Sequence, residues 1–348
     1  MNDQAENLRK AIEGLKGARL PDSGRLAEPG RQLGSGRQPD SGGQLDSGRR
    51  PDSGGQPDHG RQPAARRARA GPARVFAVTS GKGGVGKTNI SANLAIALGE
   101  MGFRAAIIDA DFGLSNVEVL FGAMPRFKLA DAIRGEKTID EILCDGPAGV
   151  KFISGGTGVE ELVRLDAEQA AALIAGLSEA DAEFDAIIID TGAGLSDTVL
   201  CMCLAADEVI LVATPEPTSV TDAYALIKLL SSRDREKEIR LVVNRAETPG
   251  EAEDIASKLA HVAARFLELD LRGLGYVLSD PLVVRSVKQQ TPFMIGYPRS
   301  RASMCVRDIA ARMMEGGAPR ADGDGGDGKG LSGFLSRISR LLSAQYRA

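Results

Sequence analysis

Two patterns of apolar and polar positions alternate along most of the chain. Short continuous apolar runs are followed by segments in which apolar residues recur every three or four positions. Continuous apolar strands separated by amphipathic helices are typical of a parallel sheet covered by helices on both faces. We therefore predict one α/β domain over residues 74–315, long enough for a substantial core. The predicted strands are 75–79, 105–109, 150–154, 186–190, 208–213, 239–244 and 274–278, and the predicted helices are 88–101, 166–180, 218–232, 250–268 and 300–315.

Two segments before this domain have other patterns. Residues 1–18 place four apolar side chains on one face of a predicted short helix, and Asp3 and Glu6 have the spacing of a capping box. Residues 19–73 contain few large apolar residues and repeat a six-residue unit such as QPDSGG. Such a segment cannot bury enough apolar surface to offset the entropy of ordering it, so we predict a disordered linker.

After the domain, residues 316–330 form a second predicted flexible linker, and residues 331–348 return to a helical pattern. Arg337, Arg340 and Arg347 give this last segment a positive charge, and it contains no acidic residue. An apolar face with arginines is typical of an interfacial amphipathic helix, so we predict that the segment targets a membrane. The alternative is docking on the domain itself or on a partner. The membrane-facing residues are predicted to be Phe334, Leu335, Ile338, Leu341 and Leu342.

Composition limits the possible functions. The formal net charge of −4 and the absence of Trp argue against wholesale coating or stacking of nucleic acid. The four cysteines lack metal-ligand spacing and are expected to be buried, reduced thiols. The first ten residues, MNDQAENLRK, lack the apolar core of a signal peptide, and no apolar run reaches the roughly 20 residues that span a bilayer. We expect a cytoplasmic protein, peripheral on the inner face of the cell membrane when nucleotide is bound.

The motif GKGGVGKT follows the first predicted strand and opens a predicted helix. Glycines in such a loop let consecutive backbone N–H groups converge on a phosphate. The lysine before the final Thr would reach the β- and γ-phosphates, and the Thr hydroxyl would ligate magnesium. The sequence therefore predicts a site for ATP and Mg²⁺. The predicted residues are Gly81, Lys82, Gly83, Gly84, Val85, Gly86, Lys87 and Thr88, followed by Asn89.

Acidic residues follow two of the predicted strands. Asp109 ends the strand 105–109, and Asp111 follows two residues later. DTGAG begins at Asp190, which ends the strand 186–190. Because the carboxyl ends of parallel strands meet at one edge of a sheet, we expect these carboxylates to lie near the phosphate loop.

The early lysine, Lys82, gives the motif a more specific form. KGGVGKT resembles the deviant Walker A ATPases of the MinD/ParA superfamily, and the resemblance covers about residues 74–315. It implies an ATP-dependent homodimer in which Lys82 reaches the nucleotide of the partner subunit. Hydrolysis would then be slow and dimer-dependent, with magnesium, Lys87 and the Lys82 side chain of the other subunit offsetting the charge of the γ-phosphate.

The same resemblance implies further roles for residues along the sheet edge. Asp109 would support magnesium through its waters, Asp111 would hold the attacking water, and Asn116 would fix that segment. Asp190 would be the Walker B acid, with Gly192 and Gly194 near the γ-phosphate, although many relatives have Pro where this chain has Gly192. In the remaining roles, Asn244 would read the adenine amino group, Ser279 and Asp280 would flank the base, and Glu216 would contact nucleotide across the dimer.

A narrower resemblance comes from four segments. DQAENLR (3–9), KTN (87–89), DTGAGLSD (190–197) and ATPEPTSVTDAYALIK (213–228) resemble the FlhG family, the MinD-like regulators of flagellar number and placement. The resemblance implies that Gln4 stimulates an FlhF-type, signal-recognition GTPase. It also implies flagellar switch proteins or a flagellar transcription regulator as partners, with no direct DNA binding. The long linker after the first segment is a departure from that family.

Other functions remain open at this point. A division-site MinD would share the domain and the C-terminal helix but would not need DQAENLR. A ParA-type DNA-segregation ATPase would bind DNA through a basic surface, and the amphipathic C-terminal segment argues against it. A scaffold that binds ATP without turnover is a further alternative. A nitrogenase-type iron–sulfur reductase is rejected, because Cys201 lies too far beyond the Walker B acid and on a predicted helix.

Overall fold

Residues 72–111, 116–155, 183–315 and 330–345 are described by a computed structural model of the chain, with side chains as far as Leu341. They belong to one compact unit that spans residues 64–348. Several predicted segments lie outside the described residues, namely the helix 1–18 with Gln4, all but the end of the linker 19–73, the helix 166–180, nearly all of the linker 316–330, and the Leu342 side chain.

Eight strands form one sheet in the order β3-β4-β2-β5-β1-β6-β7-β8. Every neighbouring pair is parallel except β3 and β4. Each predicted strand is confirmed, whereas β3 was not predicted because two residues are too few to show a pattern. The strands are β1 Arg74–Ser80, β2 Ala105–Ala110, β3 Cys144–Asp145, β4 Lys151–Ile153, β5 Ala186–Ala193, β6 Glu208–Ala213, β7 Glu238–Ala246 and β8 Arg272–Leu278.

Helices cover both faces of this sheet, as predicted. Of the five predicted helices, the four within the described residues are confirmed, and short helices that follow strand ends were not predicted. The helices of the described residues are α1 Lys87–Glu100, α2 Asn116–Phe121, α3 Leu129–Ile133, α4 Ile139–Ile142, α5 Asp197–Ala205, α6 Pro217–Arg233, α7 Pro249–Leu267, α8 Pro281–Lys288, α9 Phe293–Gly296, α10 Arg301–Glu315 and α11 Gly330–Gln345.

Local side-chain chemistry explains where several of these helices begin. Ser196 accepts a hydrogen bond from the backbone N–H of Val199 at the start of α5. Thr248 and Asp280 cap α7 and α8 in the same way, and in both helices proline occupies the next position. These caps satisfy backbone donors that the first helical turn leaves unpaired, and proline there has no N–H to satisfy. The helix starts are therefore encoded locally.

The centre of the core lies between the sheet and α1. All seven residues of β1 are buried, as are all six of β2 and of β6. Helix α1 is buried along most of its length, from Ile90 to Leu98. A helix buried on all sides has no need of a polar face, which accounts for the run of small and apolar residues there. The phosphate loop is thus anchored between a fully buried strand and a mostly buried helix.

The C-terminal helix α11 packs on the domain rather than standing apart from it. Leu331, Phe334, Leu335 and Ile338 are all less than 10% exposed against a core surface that includes α5 and β1. The docked arrangement, which the sequence left open, is therefore the one observed here. The predicted membrane-facing side chains Phe334, Leu335 and Ile338 are buried because the domain offers them an apolar surface.

Candidate nucleotide-binding site

The phosphate loop joins the buried end of β1 to the first turn of α1. Gly86 has a φ of 93°, a conformation that favours glycine. A Cβ on Gly86 would also lie 2.5 Å from Nδ2 of Asn244, so the position has no room for a side chain. Around Gly83, by contrast, the described residues leave more than 4 Å of open space. The loop is a backbone cradle, tightly held at one end and open beside its middle.

Asn244 holds the loop from the end of β7. Its carboxamide Nδ2 donates to the Val85 carbonyl at 2.7 Å, and its Oδ1 accepts from the Arg245 N–H at 2.9 Å. Arg245, the next residue, has a left-handed backbone conformation with a φ of 58°. Asn244, the residue predicted to read adenine, thus lies beside the phosphate loop and is hydrogen-bonded to it.

Asp109 and Asp190 face each other across the β2–β5 ladder. They are direct partners in the parallel register, and both are 0% exposed. Burial, together with the neighbouring charge of Asp190, raises the pKa of Asp109 to about 7. Asp109 also accepts hydrogen bonds from the Asp111 and Val117 N–H groups, each at 3.1 Å. The predicted gathering of carboxylates at this edge is observed.

Lys87 lies between two of these carboxylates. Its Nζ is 3.6 Å from Oδ1 of Asp190 and 4.0 Å from Oδ2 of Asp111. Burial raises the pKa of Asp190, and the Lys87 ammonium opposes that rise. Asn116 donates to Oδ2 of Asp111 at 3.3 Å, so the predicted water-holding carboxylate is fixed from two sides.

The site has features that fit a magnesium ion. Oδ2 of the fully buried Asp190 accepts no hydrogen bond from the described part of the chain, although the Thr88 hydroxyl lies near that carboxylate and favours its ionised form. A buried carboxylate oxygen without a partner is costly unless a cation occupies its vicinity. Magnesium suits such a sparse donor set, because it binds through one or two carboxylates together with the phosphates of its nucleotide. Within the described residues no cluster of three or more His, Cys, Asp or Glu could hold a metal by itself.

Lys82 forms its contacts within its own chain. Its Nζ donates to Oε2 of Glu216 at 2.8 Å and to Oγ1 of Thr218 at 2.9 Å. The Lys82 ammonium lowers the pKa of Glu216, chiefly through this hydrogen bond. Both side chains of the ion pair are exposed. The two residues predicted to act across a dimer therefore meet at the start of α6 in one subunit.

Helix α6 approaches the loop at a second point. A Cβ on Gly81 would lie 2.3 Å from the Asp222 carbonyl oxygen, so only glycine allows the two backbones this close. The sequence alone indicated no role for Thr218 or Asp222. Their spacing in the ATPEPTSVTDAYALIK segment was visible, but the contacts depend on how α6 packs beside β1.

The segment after β5 also meets the site. The N–H of Gly194 donates to the Ser80 carbonyl at 2.9 Å, which ties this segment to the end of β1. A Cβ on Gly192 would lie 3.2 Å from Oδ1 of Asp111. A side chain at this position would require the Asp111 carboxylate to shift by a few tenths of an ångström.

Ser279 and Asp280 lie at the adjoining sheet edge. The Ser279 N–H donates to the Ala246 carbonyl at 2.8 Å, beside the end of β7 that carries Asn244. Asp280 accepts from the Leu282 N–H at 2.9 Å and caps α8. The structure therefore places both residues at the carboxyl end of the strands, as it does Asn244. The Asp280 carboxylate is engaged in a helix cap.

The cysteines do not form a second site. Cys201 and Cys203 are buried in α5, and burial raises the pKa of Cys203 to about 12. Cys144 and Cys305 are half-buried rather than fully buried, which corrects part of the expectation for them. Among the helices of the described segments, none has the length and apolar character to cross a bilayer.

Comparison with known proteins identifies the family of the chain. The ParA family model, described as NUBPL iron-transfer P-loop NTPase, matches residues 72–314. Antiactivator FleN of Pseudomonas aeruginosa is 42% identical over 242 residues, 70% of this chain and 86% of that protein. Flagellum site-determining protein YlxH of Helicobacter pylori is 33% identical over 276 residues, 78% of this chain and 92% of that protein.

Solved structures show the same fold. MinD in the MinC:MinD complex of Aquifex aeolicus aligns with a TM-score of 0.58 at 25% identity, over 72% of this chain and 99% of that one. MinD of Pyrococcus horikoshii complexed with Mg-ADP aligns with a TM-score of 0.56 at 25% identity, over 69% of this chain and 96% of that one. The fold and the phosphate loop define a P-loop ATPase. The chain belongs to the MinD/ParA family and is an FlhG-type member of it.

Proposed function

We propose that this ATPase is a dimerising, membrane-cycling switch that regulates flagellar number and placement. The observation that carries the proposal is its 42% identity to an antiactivator FleN along nearly the whole domain. A flagellum site-determining relative and the Lys82 motif support the same function. A MinD-type division role is the second candidate, because MinD of Bacillus subtilis is 33% identical over 258 residues.

The site would perform hydrolysis by positioning and charge neutralisation. Lys87 and the backbone N–H groups of the loop would hold the phosphates, and Asp111 would orient the attacking water. Thr88, Asp109 and Asp190 would hold Mg²⁺, which when bound offsets charge on the β- and γ-phosphates. The carboxylate of Asp111 is suited to this role because Lys87 and Asn116 fix its position.

Dimerisation would require Lys82 to exchange partners. To reach the nucleotide of the partner subunit, Lys82 must leave Glu216 and Thr218 of its own chain. An exposed ion pair between two long side chains contributes little to stability because solvent screens it, so the release costs less than contact with a phosphate returns. Glu216, once released, would be available for contact with nucleotide across the dimer. Lys82 would thereby be in place for catalysis only in the ATP-bound dimer.

Membrane binding would require α11 to leave its docked position. The apolar face that would enter a bilayer is the face now packed on the domain. One amphipathic helix binds a membrane weakly, whereas two helices on a dimer bind bivalently and gain roughly a hundredfold or more. Nucleotide state would then set membrane occupancy through the number of helices presented together.

The proposed partners follow from the termini. The DQAENLR segment would stimulate an FlhF-type GTPase through Gln4, and anionic lipid at the inner face of the cell membrane would bind α11. Flagellar switch proteins or a flagellar transcription regulator are further proposed partners, and direct DNA binding is not expected from an acidic protein with this C-terminal helix.

Counting flagella tests this function directly. In the bacterium that encodes the protein, deletion of its gene should change the number or position of flagella and leave cell length and septum placement normal. The wild-type gene should restore the pattern, whereas Lys82→Ala and Gln4→Ala should fail to do so at equal protein level. Minicells or filaments with a normal flagellar count would instead support the MinD-type role.

A further inference from the structure

Ser91 lies one helical turn beyond Lys87, on the face of α1 that points toward β5. Residues four apart in a helix share a face, so Lys87 and Ser91 approach the same carboxylate. The Ser91 hydroxyl donates to Oδ1 of Asp190 at 2.8 Å, and both residues are 0% exposed. The family resemblance and the site prediction assign Ser91 no role.

The hydroxyl of Ser91 has two possible acceptors. It also lies 3.1 Å from the Lys87 carbonyl oxygen, the usual acceptor for a serine within a helix. The carboxylate is the closer acceptor and carries charge, so the hydrogen bond to Asp190 is the stronger of the two. The Ser91 hydroxyl therefore does more than donate to a carbonyl of its own helix. It also holds the side chain of Asp190, which belongs to β5.

The contacts divide the two oxygens of Asp190. Oδ1 is engaged by Ser91 at 2.8 Å and lies 3.6 Å from Nζ of Lys87. Oδ2 accepts no hydrogen bond within the described segments. With Oδ1 held, the carboxylate is fixed in rotation and Oδ2 is the oxygen left for a cation.

We infer that Ser91 is a positioning residue for the magnesium site. Its hydroxyl fixes the carboxylate of Asp190, so that one oxygen remains in place for the metal that accompanies ATP. Outer partners of this kind orient the groups that contact a metal, and their loss weakens metal affinity. The inference rests on the proposed magnesium site at Thr88, Asp109 and Asp190 and gives that site a fourth residue.

The test compares Ser91→Ala with Ser286→Ala in the full-length protein. Ser286 is a matched control, because it is also a fully buried helical serine, but its hydroxyl donates to a backbone acceptor, the Val283 carbonyl, at 2.8 Å. Binding of a fluorescent ATP analogue is titrated with Mg²⁺ and repeated in EDTA. Thermal unfolding midpoints of both variants establish that each is folded.

For Ser91→Ala, the Mg²⁺ concentration that half-saturates nucleotide binding should rise about 10- to 100-fold. Affinity in EDTA should change less than twofold, and hydrolysis should recover at saturating Mg²⁺. Ser286→Ala should leave the Mg²⁺ dependence unchanged. A shift below threefold, or an equal loss of affinity in EDTA, would overturn the inference. If the wild type shows no Mg²⁺ dependence, the proposed magnesium site itself is wrong.

Discussion

Asn244 connects the far strand β7 to the phosphate loop through a single carboxamide. Because its Nδ2 donates to the Val85 carbonyl, Asn244→Ala leaves a buried acceptor unpaired and loosens the loop. We expect ATP affinity to fall about fivefold, the effect of about 1 kcal/mol. If Asn244 also reads adenine, the preference for ATP over GTP should fall toward one, which competition binding of the two nucleotides measures.

The control for this variant is Asn93→Ala. Asn93 is a buried asparagine whose Oδ1 accepts from the Met294 N–H at 2.9 Å, and it lies in α1 beyond the phosphate loop. The Asn93→Ala variant should have lower thermal stability, but its ratio of ATP affinity to GTP affinity should be unchanged. An unchanged ratio in Asn244→Ala as well would limit Asn244 to supporting the loop.

At the level of residues, the sequence predicted which residues form the site, but it did not predict all of their side-chain contacts. The loop glycines, Lys87 and the three aspartates occupy one edge of the sheet, because motif spacing and strand order determine their positions. The pairing of Lys82 with Glu216, 134 residues apart, was not predictable. It depends on where α6 packs, which no local pattern encodes.

Helix α11 is held on the domain by polar contacts of Arg337 as well as by its apolar face. Arg337 donates to the Ala205 carbonyl at 2.7 Å and to Oδ1 of Asp207 at 3.1 Å. Oδ2 of Asp207 accepts from the Val75 N–H at 2.8 Å, so the same carboxylate also binds the start of β1. Arg337 therefore connects α11 to the end of α5 and to the start of β1.

Removing the charge of Asp207 should loosen α11 without altering the helix itself. Asp207→Asn keeps an oxygen for Val75 but weakens the contact with Arg337, by about 1 kcal/mol for a partly buried pair. Backbone amides of α11 should then exchange with deuterium about fivefold faster, as mass spectrometry measures. Asp270→Asn, which removes an exposed pair with Arg272, is the control and should leave α11 unchanged. Equal exchange in both variants would show that Arg337 does not hold the helix.

At the level of elements, burial on both faces of the sheet made the strands predictable. The short helices were not predicted, because they span too few residues to show a period. β1 and β6 are continuous apolar runs because helices cover both sides of the sheet. α2 and α9 are too short to show a helical period, and they were not predicted. The amphipathic pattern of α11 predicted a helix correctly, but an apolar face alone does not distinguish a bilayer from a protein surface.

For the whole molecule, three separate features combine into one proposed cycle. Lys82 is held by an exposed ion pair, the phosphate site has residues that fit the proposed Mg-ATP, and α11 is docked through the face that would enter a membrane. ATP-dependent pairing of two subunits would present two such helices together, and bivalence would then favour the membrane. Hydrolysis would then control where the protein is located and would not drive the synthesis of a product.

Flotation with liposomes of anionic composition tests this central claim most directly. Wild-type protein should float with the vesicles when bound to a slowly hydrolysed ATP analogue and should remain in the dense fraction with ADP. Lys82→Ala should bind the analogue yet remain in the dense fraction, because it cannot complete the shared site. Equal flotation in both nucleotide states, or flotation of Lys82→Ala like the wild type, would contradict the account.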